Sequence, residues 1–142
     1  IGDRTAEEVK IKIGSVYPME QERTLEIRGR SLVSGLPQSI TVSSEEIREA
    51  LDEVAGMIVD TVHVVLERTP PELVGDIAEN GIVMTGGGAL INGLDKLLME
   101  KTGIKVYLAE DPLSCVAKGT GAALDNLHVL RDKASYMYEQ QA

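Results

Sequence analysis

Apolar residues recur along this chain with two different periods, and the switches between them mark its elements. Ala6, Val9 and Ile13 fall three and four apart, as on one face of a short helix. The same stretch offers Val9, Ile11 and Ile13 as a strand face. Thr5 with Glu8 has the form of a capping box, which favours a helix over residues 5–13 that stops at Gly14. Residues 15–23 are mostly polar, contain Pro18 and read as a loop. Leu25 and Ile27, then Ile40 and Val42, alternate with polar neighbours and predict two short strands joined by residues 29–37. Ser43 and Glu46 make a second capping box. Behind it Ile47, Leu51, Val54, Ile58, Val62 and Val65 or Leu66 follow at helical spacing, predicting a long helix to about Arg68. Its second half, with Met57, Ile58, Val59, Val62, Val64, Val65 and Leu66, is apolar nearly all round, which predicts deep burial there.

Thr69-Pro70-Pro71-Glu72 predicts a third capped start, with proline in the first turn, of a short helix that ends at Asn80-Gly81. Ile82-Val83-Met84 reads as a buried strand running into Thr85-Gly86-Gly87-Gly88. Leu90, Leu94, Leu97 and Leu98 mark a helix that ends at Thr102-Gly103. Residues 105–109 form a further strand, and Asp111-Pro112 starts a last helix to about Asn126. Strands alternating with helices predict a parallel sheet with helices on its faces. The first part is of another kind, a helix and a two-stranded hairpin over residues 24–43. The expected division is a small α+β unit over residues 1–55 and an α/β unit over residues 56–142, with the seam inside the long helix. Residues after Asp132 read as a loose polar tail.

Composition narrows the picture. Among 142 residues there is no Trp and no Phe, so the core must be aliphatic. A net charge of −9 argues against nucleic acid as a partner and against a basic membrane-binding face. Cys115 is the one cysteine, which precludes an internal disulfide and fits a reducing cytoplasm. It reads as a small buried hydrophobe. The chain opens on Ile1 in what reads as a loop leading into a helix, so further sequence is expected upstream. His63 lies on an apolar helix face and reads as a core or boundary residue. His128 is expected near the end of the last helix, where it meets the dipole.

The most informative stretch is the glycine turn. Three adjacent glycines lose much conformational freedom on folding, which makes sense where something must approach the backbone closely. A helix directly after them would add free N–H groups and the positive end of its dipole. In a parallel sheet such a turn lies at the carboxyl end of a strand, where ligands bind. The dinucleotide fingerprint fails, because Ile91 stands at its sixth position counted from Gly86. Gly88 and Gly93 have P-loop spacing, but Leu94 replaces the lysine. From the residues alone, a tight strand-to-helix turn and a cradle for a base or ribose both remain open.

The segment Gly81-Ile82-Val83-Met84-Thr85-Gly86-Gly87-Gly88-Ala89-Leu90-Ile91-Asn92-Gly93-Leu94 resembles the adenosine motif of the actin, Hsp70 and sugar-kinase superfamily, in the form seen in the MreB family. Ile1-Gly2-Asp3-Arg4-Thr5-Ala6-Glu7 resembles that family's helix start after the second phosphate loop. Arg28-Gly29-Arg30 with Val33-Ser34-Gly35-Leu36-Pro37 is similar to its hairpin. Leu66-Glu67-Arg68-Thr69-Pro70-Pro71-Glu72-Leu73 and Ala109-Glu110-Asp111-Pro112-Leu113 are similar to further family stretches, as are Cys115-Val116-Ala117 and Gly119-Thr120-Gly121. The resemblance runs in order to about His128.

It implies an α/β chain with the actin-like ATPase (ribonuclease H-like) fold, here its carboxy-terminal half. It implies ATP or ADP held between two halves of a longer parent, with this half on the adenosine side. Gly86, Gly87, Gly88 and Ala89 match the adenosine motif, and Glu7 and Lys10 match an E-x-x-K pair on the opposing helix. Glu7 could accept from ribose hydroxyls or an exocyclic amine, and Lys10 could lie along the base. Without a ligand the two read as a solvated ion pair. Glu8 is assigned to capping Thr5, while Asn92 could cap or point into the cleft. Gly119 and Gly121 imply close packing or a hinge, or simply weaken their helix.

The phosphate loops, the water-activating acid and the Mg2+ ligands would lie upstream, so no catalytic residue and no metal ligand is expected in this chain. The parent would be a homopolymer that hydrolyses ATP after assembly and lies beneath the membrane through its other half. It would work with the cell-wall elongation machinery to set rod shape. Two rivals stand: an ATP-dependent sugar or acetate kinase of the same superfamily, and an α/β interaction module without nucleotide.

Overall fold

The computed structural model describes residues 1–127, so the expectations for His128 and for the tail lie outside the described residues. The chain folds as α1 (Asp3–Ile13), β1 (Thr24–Arg30), β2 (Pro37–Ser43), α2 (Ser44–Arg68), α3 (Pro71–Asn80) and β3 (Ile82–Met84). A 3-10 turn (Gly87–Leu90), α4 (Leu94–Thr102), β4 (Val106–Leu108) and α5 (Cys115–Asp125) follow. β1 and β2 are an antiparallel hairpin in which Leu25 faces Val42 and Ile27 faces Ile40. Its strands run further than the alternation of apolar residues suggests, so the connection shrinks to residues 31–36. β3 and β4 pair in parallel, with Met84 beside Leu108.

Two aliphatic clusters form, one toward each end of α2. Val9, Ile13 and Ile27 pack with Leu25, Val42 and Ile47. Val59, Leu94, Leu98 and Val106 pack with Val62, Ile82, Met84 and Leu97. The long helix therefore belongs to both clusters.

Only one of the three expected capping boxes forms. At α2 the Ser43 hydroxyl accepts from the Glu46 N–H at 3.2 Å, and the Glu46 carboxylate accepts from the Ser43 N–H at 2.7 Å. Thr5 lies inside α1, which is capped by extended Gly2, whose carbonyl accepts from the Ala6 N–H at 3.0 Å. Glu8 is thus no capping partner and instead approaches Arg4 at 3.6 Å and Lys12 at 3.9 Å. Thr69 closes α2 instead of opening α3: its hydroxyl donates back to the Val65 carbonyl at 2.7 Å, and the residue at the α3 N-cap is Pro70, which has no side-chain acceptor. α3 starts at Pro71 behind Pro70, and Pro71 has no N–H that would need an acceptor there.

The second half of α2 is not deeply buried. Val59 is buried and Val62, His63 and Leu66 are half-buried. Met57, Ile58, Val64 and Val65 are exposed, Val65 at 58%. A sheet of two strands with one packed helix covers a single stripe of α2, and the rest of its apolar circumference meets solvent. Leu113, Val116 and Leu124 around α5 are exposed as well. Cys115 is half-buried, its Sγ donating to the Asp111 carbonyl at 3.1 Å. Gly119 and Gly121 have open space where a Cβ would sit, so the close packing suggested for them does not occur among the described residues.

Candidate functional site

α1 and the glycine turn face each other across a cavity of about 470 Å3. That volume lies within the roughly 300–1,000 Å3 usual for small-molecule sites. Glu7, Lys10, Ile11 and Gly14 form one wall. Gly87, Gly88, Leu90, Ile91 and Asn92 form the other, and Leu113 closes an edge.

Four of the six residues singled out from sequence, Glu7, Lys10, Gly87 and Gly88, therefore line one space. Gly86 and Ala89 do not. Gly86 shapes the turn: its φ of 84° is a conformation that side chains resist, and its N–H donates to the Pro112 carbonyl at 2.8 Å. Ala89 is buried behind the turn. At Gly88 a Cβ would find open space, while at Gly87 it would lie 3.5 Å from the side chain of Leu113. A side chain at Gly88 would thus project from a bare stretch of backbone.

Glu7 and Lys10 form an ion pair at 2.6 Å, with side chains 56% and 41% exposed. An exposed pair of this kind contributes about 0–1 kcal/mol, so it is easily exchanged for ligand contacts.

The expected helix directly behind the glycines is absent. Only a 3-10 turn follows, and α4 waits until Leu94, after Gly93 in the left-handed conformation. The first turn of α4 does not line the cavity, so the α4 dipole is not aimed into it. The last helix also starts late, at Cys115 and not at Asp111. The reason lies in the turn before it, where the Pro112 carbonyl is taken by Gly86. Asp111 pairs with Lys118 at 2.8 Å, and this contact, with hydrogen bonding from Ser114, holds its carboxyl below the usual range.

Leu113 has no counterpart as a site residue in the sequence reading, and Asn92, read there as a cap or a cleft residue, lines the cavity. Leu113 sits in the 111–114 turn and reaches the glycines only through the Gly86–Pro112 bond. Asn92 joins the two walls: its Nδ2 donates to the Gly14 carbonyl at 3.2 Å, and its own carbonyl accepts from the Val16 N–H at 2.9 Å. The only signal in the sequence was an asparagine within the glycine segment. Among the described residues no group of three or more His, Cys, Asp or Glu side chains is placed to hold a metal ion. None of the described helices is long and apolar enough to cross a membrane.

The MreB/Mbl protein family model matches residues 1–132. The cell shape-determining protein Mbl of Bacillus subtilis is 54% identical over 130 residues, which cover 92% of this chain and 39% of that protein. The cell shape-determining protein MreB of Escherichia coli K12 is 56% identical over 125 residues, covering 88% of this chain and 36% of that protein. This chain thus spans roughly two fifths of the length of such relatives. The crystal structure of MreB5 of Spiroplasma citri bound to ADP superposes with a TM-score of 0.86 at 46% identity, over 89% of this chain and 39% of that one. The same protein bound to AMPPNP gives 0.86 at 43% identity, over 94% and 40%. A MamK double helical filament, at 24% identity and a TM-score of 0.65 over 80% and 34%, shares the fold. The chain belongs to the MreB/Mbl family and has its actin-like fold.

Proposed function

We propose that this chain is the adenosine-side portion of a longer ATP-binding, filament-forming bacterial actin homologue. One observation carries the reading: a helix with an exchangeable Glu7–Lys10 pair faces uncovered glycine backbone across a nucleoside-sized cavity. That the similar MreB5 is known bound to ADP and to AMPPNP supports it. Glu7 accepts from the ribose or the exocyclic amine, Lys10 lies along the base, and Gly87 and Gly88 form the bare surface on which the adenosine rests, with Gly86 shaping the turn and Ala89 packed behind it. Phosphates and Mg2+ are held by the remainder of the protein, which also carries hydrolysis after assembly; the chain alone hydrolyses nothing.

The two clusters at the ends of α2 support a division near residues 55 and 56 into a small α+β unit and an α/β unit. The hairpin belongs to the first and contributes to the filament contact. Leu32 and Val33 at its tip are each 100% exposed, as an element awaiting a partner would be. In the cell the filament lies in the cytoplasm beneath the membrane. It attaches there through the part outside this chain and organises the wall-elongation machinery. The relatives named as cell shape-determining proteins favour this over a sugar or acetate kinase.

The experiment is titration of the full-length protein with a fluorescent ATP analogue, followed by pelleting with ATP. Saturable binding that weakens in Gly88→Val, and sediment that disappears in Leu32→Asp/Val33→Asp, is expected. Binding unaffected by Gly88→Val overturns the site, and absence of any binding favours the interaction-module reading.

A further inference from the structure

We infer that Asn92 is the positioning residue that sets the width of the adenosine cleft, by clasping the carboxyl end of α1 to the glycine segment. The inference rests on the nucleotide reading above and adds a residue to it.

The two walls come from distant parts of the chain, and α1 packs chiefly on β1 and α2 instead of on the glycine turn. Asn92 bridges them. Its side chain donates from Nδ2 to the Gly14 carbonyl at 3.2 Å. The Gly14 N–H is itself used, donating to the Lys10 carbonyl at 2.9 Å. The Asn92 carbonyl takes the Val16 N–H at 2.9 Å and the Ser15 hydroxyl at 3.2 Å. Because the partner of the side chain is a carbonyl, only the amide end of Asn92 can face it. A carboxylate of the same shape would set oxygen against oxygen.

The surroundings hold this clasp in register. Ser15 is 1% exposed, and the single proton of its hydroxyl is shared between the Asn92 carbonyl and the nearer Tyr17 carbonyl, at 2.6 Å. Next to Asn92, Gly93 takes φ 80°, and a Cβ there would collide with the Cβ of Tyr17. Tyr17 in turn donates from its hydroxyl to Glu100 on α4 at 2.8 Å. The segment behind α1 is thus fixed on the α4 side, and the Asn92 amide fixes the spacing on the cleft side. Lys10 and Gly14 line the cavity on one side of the clasp, and Leu90 and Ile91 line it on the other. A lost amide contact lets these walls separate, so the base loses its sandwich while phosphate contacts made elsewhere are untouched.

The test uses the full-length protein with a fluorescent ATP analogue, and inorganic tripolyphosphate as competitor. Asn92→Asp and Asn92→Ala should weaken the ATP analogue about 5- to 10-fold, the effect of one hydrogen bond, while tripolyphosphate binds as in wild type. Asn92→His keeps a ring N–H at similar reach and should restore most of the affinity. Asn92 is exposed, so these changes leave both clusters intact, and melting curves check this. Wild-type affinity in Asn92→Asp overturns the inference. Equal loss of ATP analogue and tripolyphosphate also overturns it, since that marks general damage. If the wild-type protein does not bind the analogue at all, it is the nucleotide reading that fails.

Discussion

Replacing Gly93 by alanine tests how the back of the site is held. Gly93 sits at φ 80° between the glycine segment and α4, where a side chain meets two separate obstacles. The left-handed conformation costs an L-residue about 1–2 kcal/mol. The new methyl would also collide with the Cβ of Tyr17 and crowd the Tyr17 backbone nitrogen at 3.2 Å. Crowding of this kind in packed surroundings costs a further ~1–3 kcal/mol. Gly103 separates the two terms, because it has φ 70° but open space at the Cβ position. Gly103→Ala should therefore show only the backbone cost. The assay is hydrogen exchange of the full-length protein, read on peptides covering residues 14–17, whose Val16 N–H bonds to Asn92. Gly93→Ala should speed exchange there about 5- to 150-fold beyond any effect of Gly103→Ala, the ratio that ~1–3 kcal/mol represents. Exchange within twofold of wild type in Gly93→Ala would refute the reasoning, because Tyr17 would then yield without loosening the clasp.

Further tests address the start of α2. The Ser44 side chain is fully buried, donates to the Glu22 carboxylate and accepts from the Arg23 N–H at 2.8 Å, so Ser44→Ala should cost about 1–3 kcal/mol in urea unfolding. Glu22 has its pKa lowered, first by that hydroxyl and then by Arg48 at 3.0 Å. A carboxyl lowered on folding stabilises above its unfolded pKa, and this contribution is lost as pH falls through the folded value. Stability of the wild type should thus decline on acidification below the ordinary Glu range, and Glu22→Gln should flatten that decline. Loss of the α2 capping box in Ser43→Ala should cost about 0.5–2 kcal/mol, read by the same unfolding assay.

The elements and their order were legible because period and breakers are local. Gly81, Gly86 and Gly103 each stand at a positive φ, where the chain must turn, and each marks an element end or the edge of the glycine loop. Capping was less legible because one pattern serves several ends. Ser43 stands at the N-cap of α2 and accepts from Glu46, whereas Thr69 is the C-cap of α2 and leaves the N-cap of α3 to Pro70. Thr5 is displaced because Gly2 reaches the extended cap conformation first. The apolar circumference of α2 was visible, but its burial depends on which neighbours the chain brings, and here α4 meets one stripe. The glycine wall and the Glu7–Lys10 pair could be named as candidates because each matches a local family motif, and the fold brings them to one cavity. The contact of Asn92 with Gly14 and the place of Leu113 beside the Gly86–Pro112 junction were not legible, since the partners are remote in sequence.

The proposed site places an adenine ring between α1 and the glycine turn. Photolabelling the full-length protein with 8-azido-ATP and mapping the modified peptides tests it most directly. The label should fall within residues 5–14 or 84–92 and should disappear with excess ATP. Competable labelling confined to any other part of the protein would contradict it.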